Sequence, residues 1–296
     1  MQVSETKTDT YSLFKFALPF IIANFSFYIF QIVDIIMINW YDPNAAAEIS
    51  TMFRSIVFIL LTPTILLSIT SMFSGKYNGA MKYELTTKPI WQGIWIALFI
   101  GFFTYILSFN ALEYILPSNC ETYGLSYSKI IIRNSIFNYL LSIMNGFFYS
   151  IGYSKIVVYS MWIGNFINII LNYLLIFKFD LGSTGAAYAT VISQIIQSIL
   201  LFFYFFKLDK KYNSLYVHFD WQQIQKIFKV GSPSTLGHGM EMLAWHVIGL
   251  LIASYGVNNL YMKQLLFTSI YQIPFRIFRT GIEKAIASVS ANLVGA

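Results

Sequence analysis

The sequence predicts an all-α polytopic membrane protein, and three features of its composition support this. Of 296 residues, 57% are hydrophobic and only 11% are charged, against roughly 25% charged residues in soluble domains. Aromatic residues reach 19%, and there is a single cysteine. A soluble domain could not hide so much apolar surface from water, whereas lipid tolerates it. The composition therefore excludes a soluble globular domain, a disordered chain and a disulfide scaffold.

Long apolar runs divide the chain into about eight transmembrane helices, since a span needs about 20 apolar residues. No cleavage site for a signal peptide follows the first run, so we interpret that run as a span. The predicted helices are Leu13–Ile38, Phe53–Phe73, Ile90–Phe109, Ile130–Ser150, Ile156–Phe177, Ala186–Phe206, Phe228–Ser254 and Leu265–Ile286.

The loops between these helices predict that the N-terminus is cytoplasmic, because cytoplasmic loops carry an excess of lysine and arginine. The same rule accounts for the formal charge of +6, so no nucleic-acid partner is expected. With this orientation the cytoplasmic segments carry Lys7, Lys15, Lys76, Lys82, Lys88, Lys155, Lys207, Lys210, Lys211, Lys226 and Lys229. The opposite loops carry Lys129, Lys178 and Lys263.

Two short sequence matches indicate an internal repeat. The letters KFALP of the first helix return as KVGSP after an offset of 214 residues, and SMFSGKYNGA, ending at Ala80, returns as ASVSANLVGA, ending at Ala296, after 216. Each unit holds six spans, an even number, so both copies enter the membrane in the same direction. We predict a six-helix lobe at residues 1–206, a charged cytoplasmic linker at 207–227, and the first two helices of an incomplete second lobe at 228–296.

The chain resembles the multidrug and toxin extrusion (MATE) transporters, most closely their NorM-like branch. Four segments carry the likeness, and together they cover essentially the whole chain. They are ALPFIIANFSFYIFQIVDIIM, KYNGA with IWQGIWIAL, NIILNYLLIF with LGSTGAAYATVISQ, and GSPSTLGHGMEMLAWHVIGLLIASYG. The resemblance implies two six-helix lobes around a cleft, in the bacterial inner membrane, expelling organic cations in exchange for Na⁺ or H⁺.

Two carboxylates, Asp34 and Glu241, lie well inside apolar helices. An acidic residue there costs several kcal/mol unless it is paired, hydrated or protonated, so a cation or proton site is the functional interpretation. For Asp34 the structural alternative is a residue at the helix end that reaches outward. Glu241 is about 12 residues beyond Lys229, or about 18 Å into the membrane, near the midplane.

Asn168 and Asn172 are four residues apart and share one helix face with Gly164. From sequence alone, hydrogen bonding between packed helices is the better interpretation of this face. The resemblance to MATE transporters implies instead a cation site formed by Asp34, Asn168, Asn172 and Thr190. Some family members have Asp at the position of Asn172. The Asn in this chain leaves Asp34 as the single carboxylate of the set, so the choice between Na⁺ and H⁺ stays open.

Glu241 matches an acidic residue that the NorM-like branch carries in the first helix of its second lobe. His238 shares its face, three residues earlier, and could pair with it or simply be a core histidine. With Trp245 these residues form a weaker candidate for the substrate cleft. The spacing from His238 to His246 does not fit the HExxH zinc motif, and no GxxxxGK[ST] motif is present. We therefore expect neither an enzyme nor a cofactor beyond the coupling ion.

Two alternatives to an efflux antiporter stay open. A flippase for lipid-linked oligosaccharides would need a cationic cleft, and few lysines or arginines lie inside the spans. The other is an inactive truncated remnant, because two complete repeats would need about 430 residues, twice the 214-residue offset. We expect organic cations and the lipid bilayer as partners, and no protein partner.

Overall fold

The computed structural model describes residues 10–110, 112, 123–254 and 273–296, and the regular secondary structure in this part of the chain is helical, without strands. Lys7, Cys120 and Lys263 lie outside this part of the chain. The helices are α1 (Thr10–Tyr41), α2 (Pro43–Gly79), α3 (Lys88–Asn110), α4 (Tyr123–Arg133), α5 (Ser135–Ser150), α6 (Ser154–Asn172), α7 (Gly182–Lys207), α8 (Trp221–Ser254) and α9 (Ile273–Gly295). Short helical segments occupy Tyr83–Leu85, Tyr173–Lys178 and Asp209–Tyr212.

The chain is an integral membrane protein of the all-α class, as the sequence predicts. Within the described residues, five helices are long and apolar enough to cross a membrane: Phe14–Tyr41, Ile59–Gly79, Tyr83–Phe109, Ser154–Lys178 and Gly182–Lys207. The other three predicted spans correspond to α4 with α5, to α8 and to α9.

The predicted fourth span is interrupted at Asn134, between α4 and α5. The Asn134 side chain donates from Nδ2 to the carbonyl of Ile130 (2.9 Å), which also accepts from the Asn134 backbone N–H (3.2 Å). A side chain that competes for a helical carbonyl in this way disturbs the helix locally. The two helices therefore follow one another with a single irregular residue between them.

Two helices begin earlier than the apolar pattern predicts, because polar residues cap them. Asp42 accepts a 2.8 Å hydrogen bond from the backbone N–H of Asn44, and Pro43 is the first residue of α2, ten residues before the predicted start. Asp220 accepts from the N–H of Gln223 (3.1 Å), so α8 begins at Trp221. The irregular stretch of the predicted 207–227 linker is correspondingly shorter.

The core of the helix bundle is aromatic and is built mainly from α1, α3, α5 and α7. Phe147 packs edge-to-face on Phe205 (ring centroids 5.0 Å apart), and Phe20 stacks on Tyr149 (4.5 Å). All four side chains are buried. Burial of aromatic rings of this size dominates packing energetics. Helix α6 packs on α1 and α7, while α9 packs on α1 and α2, and α8 packs on α2.

Small residues allow α7 to approach the end of α6 closely. A Cβ on Gly185 would lie 2.8 Å from the carbonyl oxygen of Leu175, and Ala186 and Ala189 are fully buried. Small residues at a helix contact allow two membrane helices to approach each other closely. Leu175 belongs to the π-helical segment Tyr173–Lys178, a wider turn of the kind often found near functional sites.

The segment before α8 is held against the first turns of α3 by side chains. Thr87 donates to the carbonyl of Tyr212 (3.0 Å), and Trp91 donates to that of Ser214 (3.2 Å). Gln92 makes two bonds to this segment, donating from Nε2 to the carbonyl of His218 (2.9 Å) and accepting at Oε1 from the N–H of Asp220 (3.0 Å). These contacts fix where α8 starts relative to α3.

Candidate functional site

The candidate site is centred on Asp34, which lies in the second half of α1 and is only 5% exposed. Its side chain points into the bundle and not toward the helix end, so the outward-reaching alternative does not describe this structure. The hydrophobic residues Met37 and Ile38 on the next turn are also buried. The carboxylate therefore lies inside the protein, in a helix that is apolar enough to span the membrane.

Two neutral side chains hold the Asp34 carboxylate. Asn172 donates from Nδ2 to Oδ1 of Asp34 (2.5 Å), and Thr190 donates from Oγ1 to Oδ2 (3.2 Å). The Asn172 amide also donates to Oδ1 of Asn168 (3.0 Å). Asn168 and Asn172 are fully buried and Thr190 is 6% exposed. The structure thus brings together all four residues that the resemblance placed in one site.

The local structure explains why these residues meet. Asn168 and Asn172 are one helical turn apart on α6, so their amides lie one above the other. Gly164 continues that face, where an added Cβ would overlap the side chain of Gln197 on α7. The Thr190 hydroxyl is also 3.0 Å from the carbonyl of Ala186, so its single proton is shared between that oxygen and Asp34.

Two buried amide atoms of the site have no hydrogen-bond partner among the described residues: Asn172 Oδ1 and Asn168 Nδ2. Buried polar atoms are normally satisfied, so unsatisfied ones are informative. Flipping the Asn172 side-chain amide would exchange the positions of Nδ2 and Oδ1 and bring the oxygen beside Asp34. The site then offers carboxylate, amide and hydroxyl oxygens, the ligand types that hard cations such as Na⁺ prefer.

One residue of this site, Tyr127, was not predicted from the sequence. It lies on α4, is 8% exposed, and has its hydroxyl beside Thr190 and near Asp34. The predicted fourth helix began at Ile130, so Tyr127 was counted with the preceding loop. Gly124 and Ser128 lie on the same buried face of α4 as Tyr127. Their spacing of three and four residues was the signal in the sequence that could have placed Tyr127 on a helix.

The second group of predicted residues lies apart from the first. His238 Nδ1 is 3.4 Å from Glu241 Oε2 on α8, and both side chains are about half exposed. Of the two alternatives for His238, pairing with Glu241 and a core histidine, the structure shows the pair, and it lies on α8, which packs on α2 and α3. The side chain of Trp245 lies outside the described part of the structure. Across the residues described, no cluster of three His, Cys, Asp or Glu could hold a metal ion.

The family model that matches this chain is MatE, over residues 19–174, slightly more than half of the sequence. The multidrug export protein MepA of Staphylococcus saprophyticus is 30% identical over 263 residues, covering 83% of this chain and 57% of MepA. MepA of Staphylococcus aureus strain N315 is 28% identical over 270 residues, covering 83% of this chain and 58% of MepA. The chain therefore spans less than two thirds of the length of the curated relatives that it matches.

Solved structures share the fold. A MATE protein crystallised in the straight conformation superposes with a TM-score of 0.85 at 18% identity, over 100% of this chain and 66% of its own. An outward-facing multidrug resistance MATE transporter of the MOP superfamily gives 0.84 at 19% identity, with the same coverage. A MOP superfamily transporter from Pyrococcus furiosus, described by the reverse polarity of its binding pocket, gives 0.81 at 18% identity, again over 100% and 66%.

Proposed function

The chain belongs to the MATE family, and we propose that it forms the ion-coupled part of a multidrug efflux antiporter. In this proposal it exports organic cations across the bacterial plasma membrane in exchange for Na⁺ or H⁺. The similarity to the MepA multidrug export proteins supports an export function. The buried Asp34 site supports the coupling to a cation.

The observation that carries the proposal is the environment of the Asp34 carboxylate. It is bonded to Asn172 and Thr190, both neutral, and no lysine, arginine or histidine among the described side chains pairs with it. An ionised carboxylate inside a membrane protein needs a positive partner, and such residues mark ion or proton pathways. A mobile cation or a proton can supply that positive charge and can also leave again.

The ligand set favours Na⁺ as the first ion to test. Asp34 is the single carboxylate of the site, and Asn168, Asn172 and Thr190 add only neutral oxygens. Neutral amide and hydroxyl oxygens coordinate a metal cation but do not take up a proton near neutral pH. Proton coupling would therefore depend on Asp34 alone.

Substrate exchange would take place at Glu241. Its carboxylate lies on α8, about half exposed and paired with His238, so it is reachable by an organic cation. We propose that residues 1–206 form the first lobe, that residues 207–227 connect the lobes on the cytoplasmic side, and that residues 228–296 begin the second lobe. The N-terminus is then cytoplasmic, and ion binding at Asp34 alters the equilibrium between the cleft conformations.

The proposal is tested with the chain reconstituted in liposomes loaded with ethidium. Dye efflux is measured after an inward Na⁺ gradient or an inward H⁺ gradient is imposed, for the wild type and for Asp34→Asn. The matched control is Glu84→Gln, which removes an exposed carboxylate from the short helical segment Tyr83–Leu85. We expect one of the gradients to accelerate efflux by the wild type and by the control, and Asp34→Asn to abolish that acceleration.

Two outcomes would contradict the proposal. Efflux that responds to an ion gradient equally in Asp34→Asn and in the wild type would remove Asp34 from the coupling. Absence of ethidium efflux under both gradients would show that the chain does not transport by itself. Isothermal titration of Na⁺ into the purified chain then tests the ion site separately from transport.

A further inference from the structure

Five large apolar side chains project from residues 215–221, a short stretch before α8 that we call the apolar segment. They are Leu215, Tyr216, Val217, Phe219 and Trp221, each between 54% and 62% exposed. Apart from Trp221, the first residue of α8, the segment is not helical. Exposed apolar side chains that follow one another along a chain mark a surface that contacts another protein or a membrane.

The apolar segment lies against the side of a helix that is apolar enough to cross a membrane. Phe219 packs edge-to-face on Trp95 of α3, with the ring centroids 6.2 Å apart. Trp95 comes seven residues after Lys88, the start of α3, which corresponds to about 10 Å along the helix axis. It belongs to the candidate span Tyr83–Phe109 and is itself 39% exposed. The apolar segment therefore reaches past the end of the span and along its side.

Polar side chains satisfy part of the backbone of this irregular stretch. Gln92 of α3 donates to the carbonyl of His218 (2.9 Å) and accepts from the N–H of Asp220 (3.0 Å). Asp209 accepts a 2.7 Å hydrogen bond from the N–H of Leu215. Irregular backbone is tolerated near lipid only where the protein itself pairs its polar groups. The apolar side chains can therefore face lipid while these backbone groups stay bonded.

Positive charge flanks the apolar segment on both sides. Residues 207–229 contain five lysines and two aspartates. Both aspartates accept hydrogen bonds from backbone N–H groups. No salt bridge between described residues joins one of the lysines to a carboxylate. The lysines are all exposed: Lys207, Lys210, Lys211, Lys226 and Lys229.

The charged and the apolar groups occupy different depths along α3. The Lys211 ammonium lies 4.3 Å from the ring centroid of Tyr83, the first residue of the candidate span, whereas Phe219 reaches Trp95 farther along it. Tryptophan and tyrosine side chains favour the level of the lipid headgroups, and anionic lipids attract clustered lysines beside a span. A protein partner would have to enter the bilayer to cover Phe219, so this order of groups favours lipid.

We propose that the apolar segment inserts into the cytoplasmic leaflet and that Lys210 and Lys211 bind the phosphate groups of anionic phospholipids there. The connection between the two lobes is thereby attached to the membrane surface next to the start of α8. This inference goes beyond the proposed function and takes from it only the cytoplasmic position of the linker.

The test places an environment-sensitive NBD fluorophore on the apolar segment of the full chain. Val217→Cys is labelled in a Cys120→Ser background and incorporated into nanodiscs of phosphatidylcholine mixed with phosphatidylglycerol. Either lipid carries a nitroxide quencher on its acyl chain, at the same mole fraction in both preparations. The control is Glu84→Cys with the same label, at an exposed carboxylate next to Tyr83.

We expect acyl-chain nitroxides to quench the probe at Val217 strongly and the probe at Glu84 weakly. Quenching at Val217 should be greater when phosphatidylglycerol carries the nitroxide, because each lysine near the surface strengthens association with anionic lipid about fivefold.

Charge variants then test the role of the lysines, with the probe kept at Val217. Lys210→Gln combined with Lys211→Gln should lower the preference for phosphatidylglycerol about tenfold or more, with the helical circular dichroism unchanged. Lys129→Gln combined with Lys178→Gln removes the same charge from the predicted opposite loops and should leave the preference unchanged.

Three results would overturn this inference. Equally weak quenching at Val217 and Glu84 would place the apolar segment outside the bilayer, and blue-shifted emission without quenching would indicate that a protein or a second copy covers it. Equal quenching by the two lipids in the wild type would reject the preference for anionic phospholipids. None of these measurements involves transport, so failure of this inference can be told apart from failure of the proposed function.

Discussion

Gly79 at the end of α2 and Gly295 at the end of α9 make the same contact with each other's helix. A Cβ on Gly79 would overlap the carbonyl of Asn292, and a Cβ on Gly295 would overlap the carbonyl of Lys76. The offset of 216 residues that relates the two glycines also relates Lys76 to Asn292. The second sequence match therefore corresponds to two helix ends that cross with approximate two-fold symmetry.

Gly79→Ala should destabilise the crossing of α2 and α9. The added methyl group overlaps backbone atoms of Asn292, which cannot move aside as a flexible side chain would. Overpacking of this kind typically costs about 1–3 kcal/mol. We expect a lower temperature of unfolding for the detergent-solubilised chain, measured by tryptophan fluorescence.

The control for that experiment is Gly237→Ala, at a glycine of α8 where the added methyl group would have no described atom within 4 Å. Alanine is favoured over glycine in helices by up to about 1 kcal/mol, so this variant should be neutral or slightly stabilising. Equal destabilisation by both substitutions would show that the contact of Gly79 with α9 does not matter for stability.

A disulfide between two cysteines introduced at the crossing of α2 and α9 should show directly that the two helices are in contact. Asn78 donates from Nδ2 to Oδ1 of Asn292 (2.7 Å), and Tyr212 donates to Oδ1 of Asn78 (3.3 Å). In a Cys120→Ser background, Asn78→Cys with Asn292→Cys should form a disulfide rapidly with a mild oxidant, detected as a shift in electrophoretic mobility. Pairing Asn78→Cys with a cysteine at the exposed Ser290 is the control, and cross-linking at the same rate would contradict the contact.

Thr190→Val should weaken ion binding at Asp34 without changing the shape of α7. Valine replaces the hydroxyl that donates to Asp34 Oδ2 (3.2 Å) by a methyl group of similar size. A hydrogen bond to a charged group contributes about 1.5–3 kcal/mol, so the Na⁺ concentration at half-saturation should rise about tenfold or more in calorimetric titration. Thr184→Val, whose hydroxyl bonds only to the carbonyl of Leu181 among the described contacts, should leave it unchanged.

Gln92→Leu should release the segment that precedes α8. The side chain of Gln92 makes two bonds to this segment, to the carbonyl of His218 and to the N–H of Asp220. Without it, hydrogen exchange at the Asp220 amide should accelerate, because exchange follows local opening. Gln222→Leu, at an exposed glutamine on the first turn of α8, should leave the exchange rate unchanged. Slow exchange in Gln92→Leu would show that Thr87 and Trp91 hold the segment without it.

The apolar pattern predicted the positions of the helices well but predicted their ends poorly. Long runs without charges predict spans because lipid cannot satisfy an irregular backbone. Helix ends depend on single capping contacts, such as those of Asp42 and Asp220, and the hydropathy of the sequence does not predict such contacts. The apolar pattern also joins α4 and α5, since it does not detect that the Asn134 side chain competes for the carbonyl of Ile130.

The sequence by itself determined that this protein lies in a membrane, that it is helical, and that Asp34 and Glu241 are its unusual carboxylates. Spacing along a helix also predicted which residues share a face, as for Asn168 with Asn172 and His238 with Glu241. The tertiary structure decided which faces meet. It brought Asp34, Asn172 and Thr190 together from three helices, added Tyr127, and placed Lys284 beside Asn24, 260 residues away. Contacts between distant segments depend on how side chains of different helices fit, and no periodicity within one helix encodes that fit.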